Sequence, residues 1–235
     1  MQPAEFTKDR FGWRRVACAD AEVRLWLVDV AGDPAALSQE ALALSKDEID
    51  RADRFHRAQD RARFMLARSA LRHLLAEATG RQAQTLAFSL GPFGKPALIG
   101  AEDLNFNLSH SGALALIGIS ERRPIGVDIE LMRENIDELA LAEAFFCDGE
   151  HRFLMNLEGP ARLEAFHRIW TCKEAVLKAF GVGITAYLKD FRVRLKQPAG
   201  IAIEPAQGCF SPELAAVRAA GVEAPAGYAA AYALA

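Results

Sequence analysis

Apolar residues alternate with polar ones along several short stretches of the chain. This period of two predicts strands over residues 23–30, 85–90, 104–108, 113–119, 125–129, 191–195 and 228–234. Between them the apolar spacing changes to three and four. Over residues 51–78, Ala67, Ala70, Leu71, Leu74, Leu75 and Ala78 fall on one helical stripe, and Gly80 supplies a stop. Over residues 161–180, Leu163, Phe166, Ile169, Trp170, Leu177 and Phe180 do the same, and Gly181 ends the run. Strands mixed with segregated long helices indicate an α+β chain. The segment SERRPIG, residues 120–126, is the best interior break, dividing the chain into halves 1–122 and 123–235. Each half has one long helix and several strands, so an internal duplication is open on this pattern.

Composition narrows the class. The chain has 235 residues, 51% hydrophobic and 25% charged, which is enough apolar material for a packed core. Its net charge of −3 does not favour a broad nucleic-acid or anionic-membrane surface. No apolar run approaches the roughly 20 residues of a membrane span, and the N-terminus lacks a signal-peptide core, so a cytoplasmic protein is expected. Cys18, Cys147, Cys172 and Cys209 are scattered singly, and the five histidines show no zinc-binding spacing. The local charge is more telling: residues 46–81 carry nine basic and six acidic side chains, whereas residues 128–150 carry eight acidic ones and a single arginine. A basic segment in one half and an acidic one in the other suit a phosphate ligand and a divalent cation.

Three constellations carry chemistry. In IGVDIE, residues 125–130, a strand places Val127 and Ile129 on one face and Asp128 and Glu130 on the other, roughly 6.5 to 7 Å apart. Two like charges held that close call for a cation or base between them, although a strand with one wet face also gives this pattern. In WTCKEAVLKAFG, residues 170–181, Lys173 projects into the middle of an apolar stripe, where an unpaired ammonium is costly and something anionic should meet it. Glu174 and Lys178 form an i,i+4 pair on the edge of that stripe. The third constellation is the turn GPFGKPAL, residues 91–98, presenting Lys95, followed by a strand ending in Ser109, His110, Ser111 and Gly112, small donors suited to a phosphate oxygen. GVGITA matches a dinucleotide fingerprint by letters, but it follows a helix and is set aside, and no P-loop is present.

Taken in order, GKP, FNLSHSG, IGVDIE and WTCKEAVLKAFG resemble the motifs of the 4'-phosphopantetheinyl transferase superfamily, in its longer two-halved, surfactin-synthetase-activator type. FFCDGEHRFL, residues 145–154, and the basic segment 51–72 resemble further parts of it. The resemblance implies two similar α+β halves related by a pseudo-twofold, with coenzyme A in the cleft between them and a monomeric chain. It implies transfer of phosphopantetheine to a serine hydroxyl of an apo acyl or peptidyl carrier protein, with release of adenosine 3',5'-bisphosphate. By match to the motifs, Asp128, Glu130 and Glu174 would hold Mg²⁺ (or Mn²⁺), and Glu174, Lys178 and Asp128 would be catalytic. Ser109, His110, Lys95, Lys173 and Lys178 would face coenzyme A, with Arg51, Arg54 and Arg63 at its 3'-phosphate. A noncatalytic coenzyme A-binding module and a Mg²⁺-dependent coenzyme A phosphohydrolase are the alternatives.

Overall fold

The computed structural model describes residues 13–32, 43–183, 186–196 and 200–235. After an edge strand, β1 (Trp13–Val16), an order of strand, helices, hairpin and two strands occurs twice, with two helices in the first run and three in the second among the described residues. The first run is β2 (Val23–Asp29), helices α1 (Lys46–Ala52) and α2 (Ala58–Thr79), a hairpin of β3 (Phe88–Leu90) and β4 (Pro96–Leu98), then β5 (Asn105–Ser111) and β6 (Leu114–Ser120). The second is β7 (Ile125–Leu131), helices α3 (Glu138–Phe145), α4 (Asp148–Met155) and α5 (Gly159–Phe180), a hairpin of β8 (Phe191–Lys196) and β9 (Gly200–Pro205), then β10 (Arg218–Gly221) and β11 (Tyr228–Leu234).

The two main sheets are antiparallel, with orders β1-β2-β6-β5 and β10-β11-β7. Apart from β1 the orders match, and so does the register: Val23, first in β2, faces Ser120, last in β6, while Ile125, first in β7, faces Leu234, last in β11. Both long helices have 22 residues and end on a glycine at φ +67°, a left-handed conformation that favours a residue without a Cβ.

Alternation along the strands builds four layers. Val28, Ile117 and Ile119 turn toward α2 and pack on Ala67, Ala70, Leu71, Leu74 and Leu75. The opposite faces of the two sheets meet in a shared core, with Val23, Leu25, Leu27 and Leu116 against Ile125, Val127, Ile129, Tyr232 and Leu234. Ala231 and Ala233 then pack against α5. Sheet meets sheet through equivalent strands, the arrangement a pseudo-twofold produces. Gly126 permits the closest approach, since a Cβ there would lie 2.0 Å from the Ala175 carbonyl oxygen and 2.4 Å from the Ala179 nitrogen.

Each half also contains a buried ion pair built on one plan. Arg72 of α2, 1% exposed, meets Glu48 at 2.5 Å and donates to the Ala83 and Leu86 carbonyls. Lys173 of α5, wholly buried, meets Glu150 at 2.9 Å and donates to the Leu188 and Phe191 carbonyls. Both cations lie eight residues before the terminal glycine, and both glutamates close a capping box at the start of a shorter helix.

The predicted helix over 51–78 is two helices. Asp53 ends α1 and accepts from Arg61 of α2, while Phe55 packs on Phe64, so residues 53–57 turn a corner. The strand predicted over 85–90 is shortened to β3, its start being a 3₁₀ turn over Ala83–Thr85. The other six strands match in place, β5 continuing to Ser111 and β7 to Leu131. Strands β1, β4, β9 and β10 and helices α3 and α4 have no counterpart in the sequence reading. No helix among the described residues is long and apolar enough to cross a membrane.

Candidate active site

The site lies where β5 of the first half runs beside β7 of the second. The two strands exchange side-chain bonds. Alternate residues of β5 face β7: Asn107 Oδ1 accepts from the Val127 nitrogen (2.9 Å), Ser109 Oγ donates to Asp128 Oδ1 (2.7 Å), and Ser111 Oγ donates to Glu130 Oε2 (2.7 Å). The period of two on both strands thus places a polar stripe of one against the two carboxylates of the other.

Helix α5 supplies the rest. Because Gly126 lets its last turns sit close on β7, Glu174 and Lys178, one turn apart, reach the same carboxylates. Lys178 Nζ lies 2.5 Å from Asp128 Oδ1, 3.1 Å from Glu174 Oε2 and 3.2 Å from Ser109 Oγ. Asp128 is 1% exposed, and its second oxygen, Oδ2, is buried without a hydrogen-bond partner. An orphaned carboxylate oxygen is costly in a folded interior and calls for a donor or a cation.

The electrostatics follow from three carboxylates around one ammonium. Burial, then the charge of Asp128, raises the pKa of Glu174. Burial, with Asp128 adding to it and Ser111 opposing it, raises that of Glu130. Burial by itself works against the Lys178 ammonium, but Asp128 and Glu174 more than offset it and hold its pKa above the ordinary lysine value. His110 is held low by burial and then by the nearby positive charges of Lys178 and Arg63, so the basic face of α2 borders the site.

Hard, anionic oxygens and an unpartnered oxygen between them are the donor chemistry that suits Mg²⁺ or Mn²⁺. Among the described residues no ready-made cluster of three or more metal-binding side chains is found. In the site itself the Lys178 ammonium stands between Asp128 and Glu174, the place a divalent cation would share with it.

The remaining assignments divide. Lys173 is not in the cleft: it meets an anion as the stripe requires, but the anion is Glu150, with the Phe146 and Phe191 rings 5.6 and 4.5 Å away, so no phosphate reaches it. The expectation that it faces coenzyme A is corrected accordingly. Lys95 crosses from the β3–β4 hairpin to the second half, where its amine donates to the Ala179 carbonyl (2.8 Å) and the Ile125 carbonyl (3.0 Å). Burial pushes its pKa down to about 8. Ser109 lies in the site, with its hydroxyl engaged by Asp128 and Lys178.

Arg63 pairs with Asp60 at 3.3 Å, and its Nε is buried without a partner. Arg51 and Arg54 line a shallow cavity of about 640 Å³ with Asp47, Asp50 and Phe55. Ser111, grouped from the sequence with small donors suited to a phosphate oxygen, instead gives its proton to Glu130, and Asn107 has no role in the sequence reading, although the period of two that flags Ser109 also flags it.

Comparison with known proteins matches both halves of the chain to one family. Residues 124–233 match the family described as the 4'-phosphopantetheinyl transferase superfamily, and residues 33–122 match its N-terminal counterpart, 4'-phosphopantetheinyl transferase, N-terminal. A Synechocystis protein bearing the same family name is 44% identical over 149 residues, 63% of this chain and 61% of its own length. The 4'-phosphopantetheinyl transferase HetI of Nostoc is 38% identical over 190 residues, 79% of this chain and 80% of the relative. A 4'-phosphopantetheinyl transferase of Bacillus subtilis is 30% identical over 171 residues, 72% of this chain and 75% of the relative. With both halves matched and the carboxylates of β7 and α5 brought together, the chain belongs to the 4'-phosphopantetheinyl transferase superfamily and is an enzyme of that type.

Proposed function

We propose that this chain transfers the phosphopantetheine group of coenzyme A to a serine hydroxyl of an apo acyl or peptidyl carrier protein, releasing adenosine 3',5'-bisphosphate. The observation that carries the reading is Asp128, buried, with one oxygen unpartnered, flanked by Glu130, Glu174 and Lys178. Asp128, Glu130 and Glu174 would hold Mg²⁺, or Mn²⁺ in its place. Bound there, the cation supplies Lewis-acid polarisation of the phosphoryl oxygens.

The chain's own residues do the remainder. Glu174, whose pKa is raised, takes the serine proton at a carboxylate oxygen, directly or through one water. The serine oxygen forms its bond to the β-phosphorus as the bond from that phosphorus to the bridging oxygen breaks, and Lys178 offsets the charge gathering on the departing bisphosphate. His110, neutral because its pKa is held low, donates one ring N–H to a phosphate oxygen. Arg51, Arg54 and Arg63 face the 3'-phosphate, and the hairpin carrying Lys95 borders the nucleotide. On this reading the two halves divide at residues 122 and 123, one chain supplies both walls of the cleft, and the enzyme is a cytoplasmic monomer.

The test is the intact mass of apo carrier proteins incubated with this protein, coenzyme A and Mg²⁺, with and without EDTA. A gain of one phosphopantetheine group, abolished by EDTA, is expected. Bisphosphate released in the absence of a carrier would instead establish a phosphohydrolase. Coenzyme A bound with no turnover on any carrier would establish a noncatalytic module. Glu174→Gln is expected to lower transfer by about 10² to 10⁴-fold, the usual contribution of a positioned base. Undiminished transfer would remove Glu174 from its role.

A further inference from the structure

We infer that Ser111 is a positioning residue for the cation site: a strand of the first half sets where Glu130 of the second half holds its carboxylate. The inference rests on the reading of Glu130 as a metal ligand. A serine hydroxyl has one proton to give and two lone pairs to receive with. The Ser111 oxygen receives the Leu131 backbone N–H at 3.1 Å, and its proton goes to Glu130 Oε2 at 2.7 Å. Leu131 follows Glu130 in the chain, so one hydroxyl binds both the side chain and the adjoining backbone and fixes one against the other.

The serine is itself held in place. It is 9% exposed, and the turn after it is fixed by Gly112 at φ +58°. A Cβ at Gly112 would come 2.6 Å from the Tyr228 hydroxyl and 3.2 Å from Leu131 Cδ2. That same Tyr228 hydroxyl, on β11 of the second half, accepts from the Ala113 nitrogen at 2.9 Å. Ser111 and the turn that follows it are therefore both held by the half whose carboxylate Ser111 orients. Groups that hydrogen-bond to ligating carboxylates commonly change metal affinity 10- to 100-fold when removed.

The experiment is Mn²⁺ binding to the full chain in the absence of coenzyme A, read by water-proton relaxation, for wild type, Ser111→Ala, Ser111→Thr, Glu130→Gln and the Ser111→Ala/Glu130→Gln double variant. Circular dichroism establishes that each is folded. Ser111→Ala should weaken Mn²⁺ by about tenfold, and Ser111→Thr, which keeps the hydroxyl, should restore it. In the Glu130→Gln background, Ser111→Ala should change nothing further, because its effect passes through Glu130. A general packing role would instead weaken binding in both backgrounds, and that outcome overturns the inference, as does wild-type affinity in Ser111→Ala. Wild-type affinity in Glu130→Gln would overturn the reading of Glu130 itself, and with it the premise, an outcome distinct from the other two.

Discussion

Among the described residues Lys178 is the cation that pairs with both Asp128 and Glu174, and replacing it by Met isolates what that charge does. The 3.1 Å contact to Glu174 alone has a gross attraction of about 5 kcal/mol at an effective dielectric of about 20. Much of that offsets the desolvation of groups that are 18% exposed for Lys178 and 12% for Glu174. What remains on removal is set by the stranded partner. Asp128 would keep the Ser109 hydroxyl on one oxygen and nothing on the other. Breaking a buried pair in this way costs about 3–5 kcal/mol, a fall of about 10 °C in Tm for a chain of this size.

The cost should depend on pH with a definite sign. Glu130 and Glu174 already have raised pKa values, so the folded state takes up protons before the unfolded state as pH falls through their folded values. Removing Lys178 raises those values further, so the deficit of the Lys178→Met variant is largest at neutral pH and shrinks on acidification. A divalent cation should do what acid does: Mg²⁺ should raise the Tm of Lys178→Met more than that of wild type. Urea and thermal unfolding at pH 7 and pH 5, with and without Mg²⁺, measure all of this. Equal stability of variant and wild type at pH 7, or a deficit that grows on acidification, would refute the reasoning.

Further outcomes are expected elsewhere. Lys173→Met should destabilise by about 3–5 kcal/mol by stranding buried Glu150, yet leave the KM for coenzyme A of the folded protein unchanged, which steady-state kinetics will show. Lys95→Met should remove a pH dependence of stability. With its folded pKa near 8 and an ordinary value of 10.5 when unfolded, the folded state binds fewer protons between those limits, so wild-type stability gains a rising contribution with pH across that window. Comparison of urea midpoints for the two proteins at pH 7.5 and 9.5 reads that contribution. Gly126→Ala should cost about 3 kcal/mol or more, because the added methyl meets helix backbone that cannot turn aside, and transfer activity should fall with it as Glu174 and Lys178 are lifted from Asp128.

The parts of the site that were legible in the sequence are those governed by a single period. Alternation in β7 places Asp128 and Glu130 together, and helical spacing places Glu174 one turn from Lys178. The stripe around Lys173 also shows correctly that an anion must meet it. The identity of that anion was not legible, because Glu150 comes from a different helix and meets Lys173 only through tertiary packing. A signal for the start of α1 was present in the capping box formed by Ser45 and Glu48, three residues apart as that motif requires. The corner at 53–57 had no such mark, since it is stabilised by Asp53–Arg61 and Phe55–Phe64 contacts. Three-residue strands such as β4 are too short to express a period at all.

The matched registers and matched buried ion pairs have a consequence for stoichiometry. Counting back from the terminal glycines, Glu174 and Lys178 of α5 correspond to His73 and Glu77 of α2, and counting along the seven-residue strands, Asp128 and Glu130 of β7 correspond to Trp26 and Val28 of β2. Where the second half has two carboxylates on its strand the first has an indole and an isopropyl group, and where it has an ammonium the first has a carboxylate. On the proposed reading, a chain folded twice on one plan would hold a cation in one half and not the other, and a titration should end at one equivalent per chain.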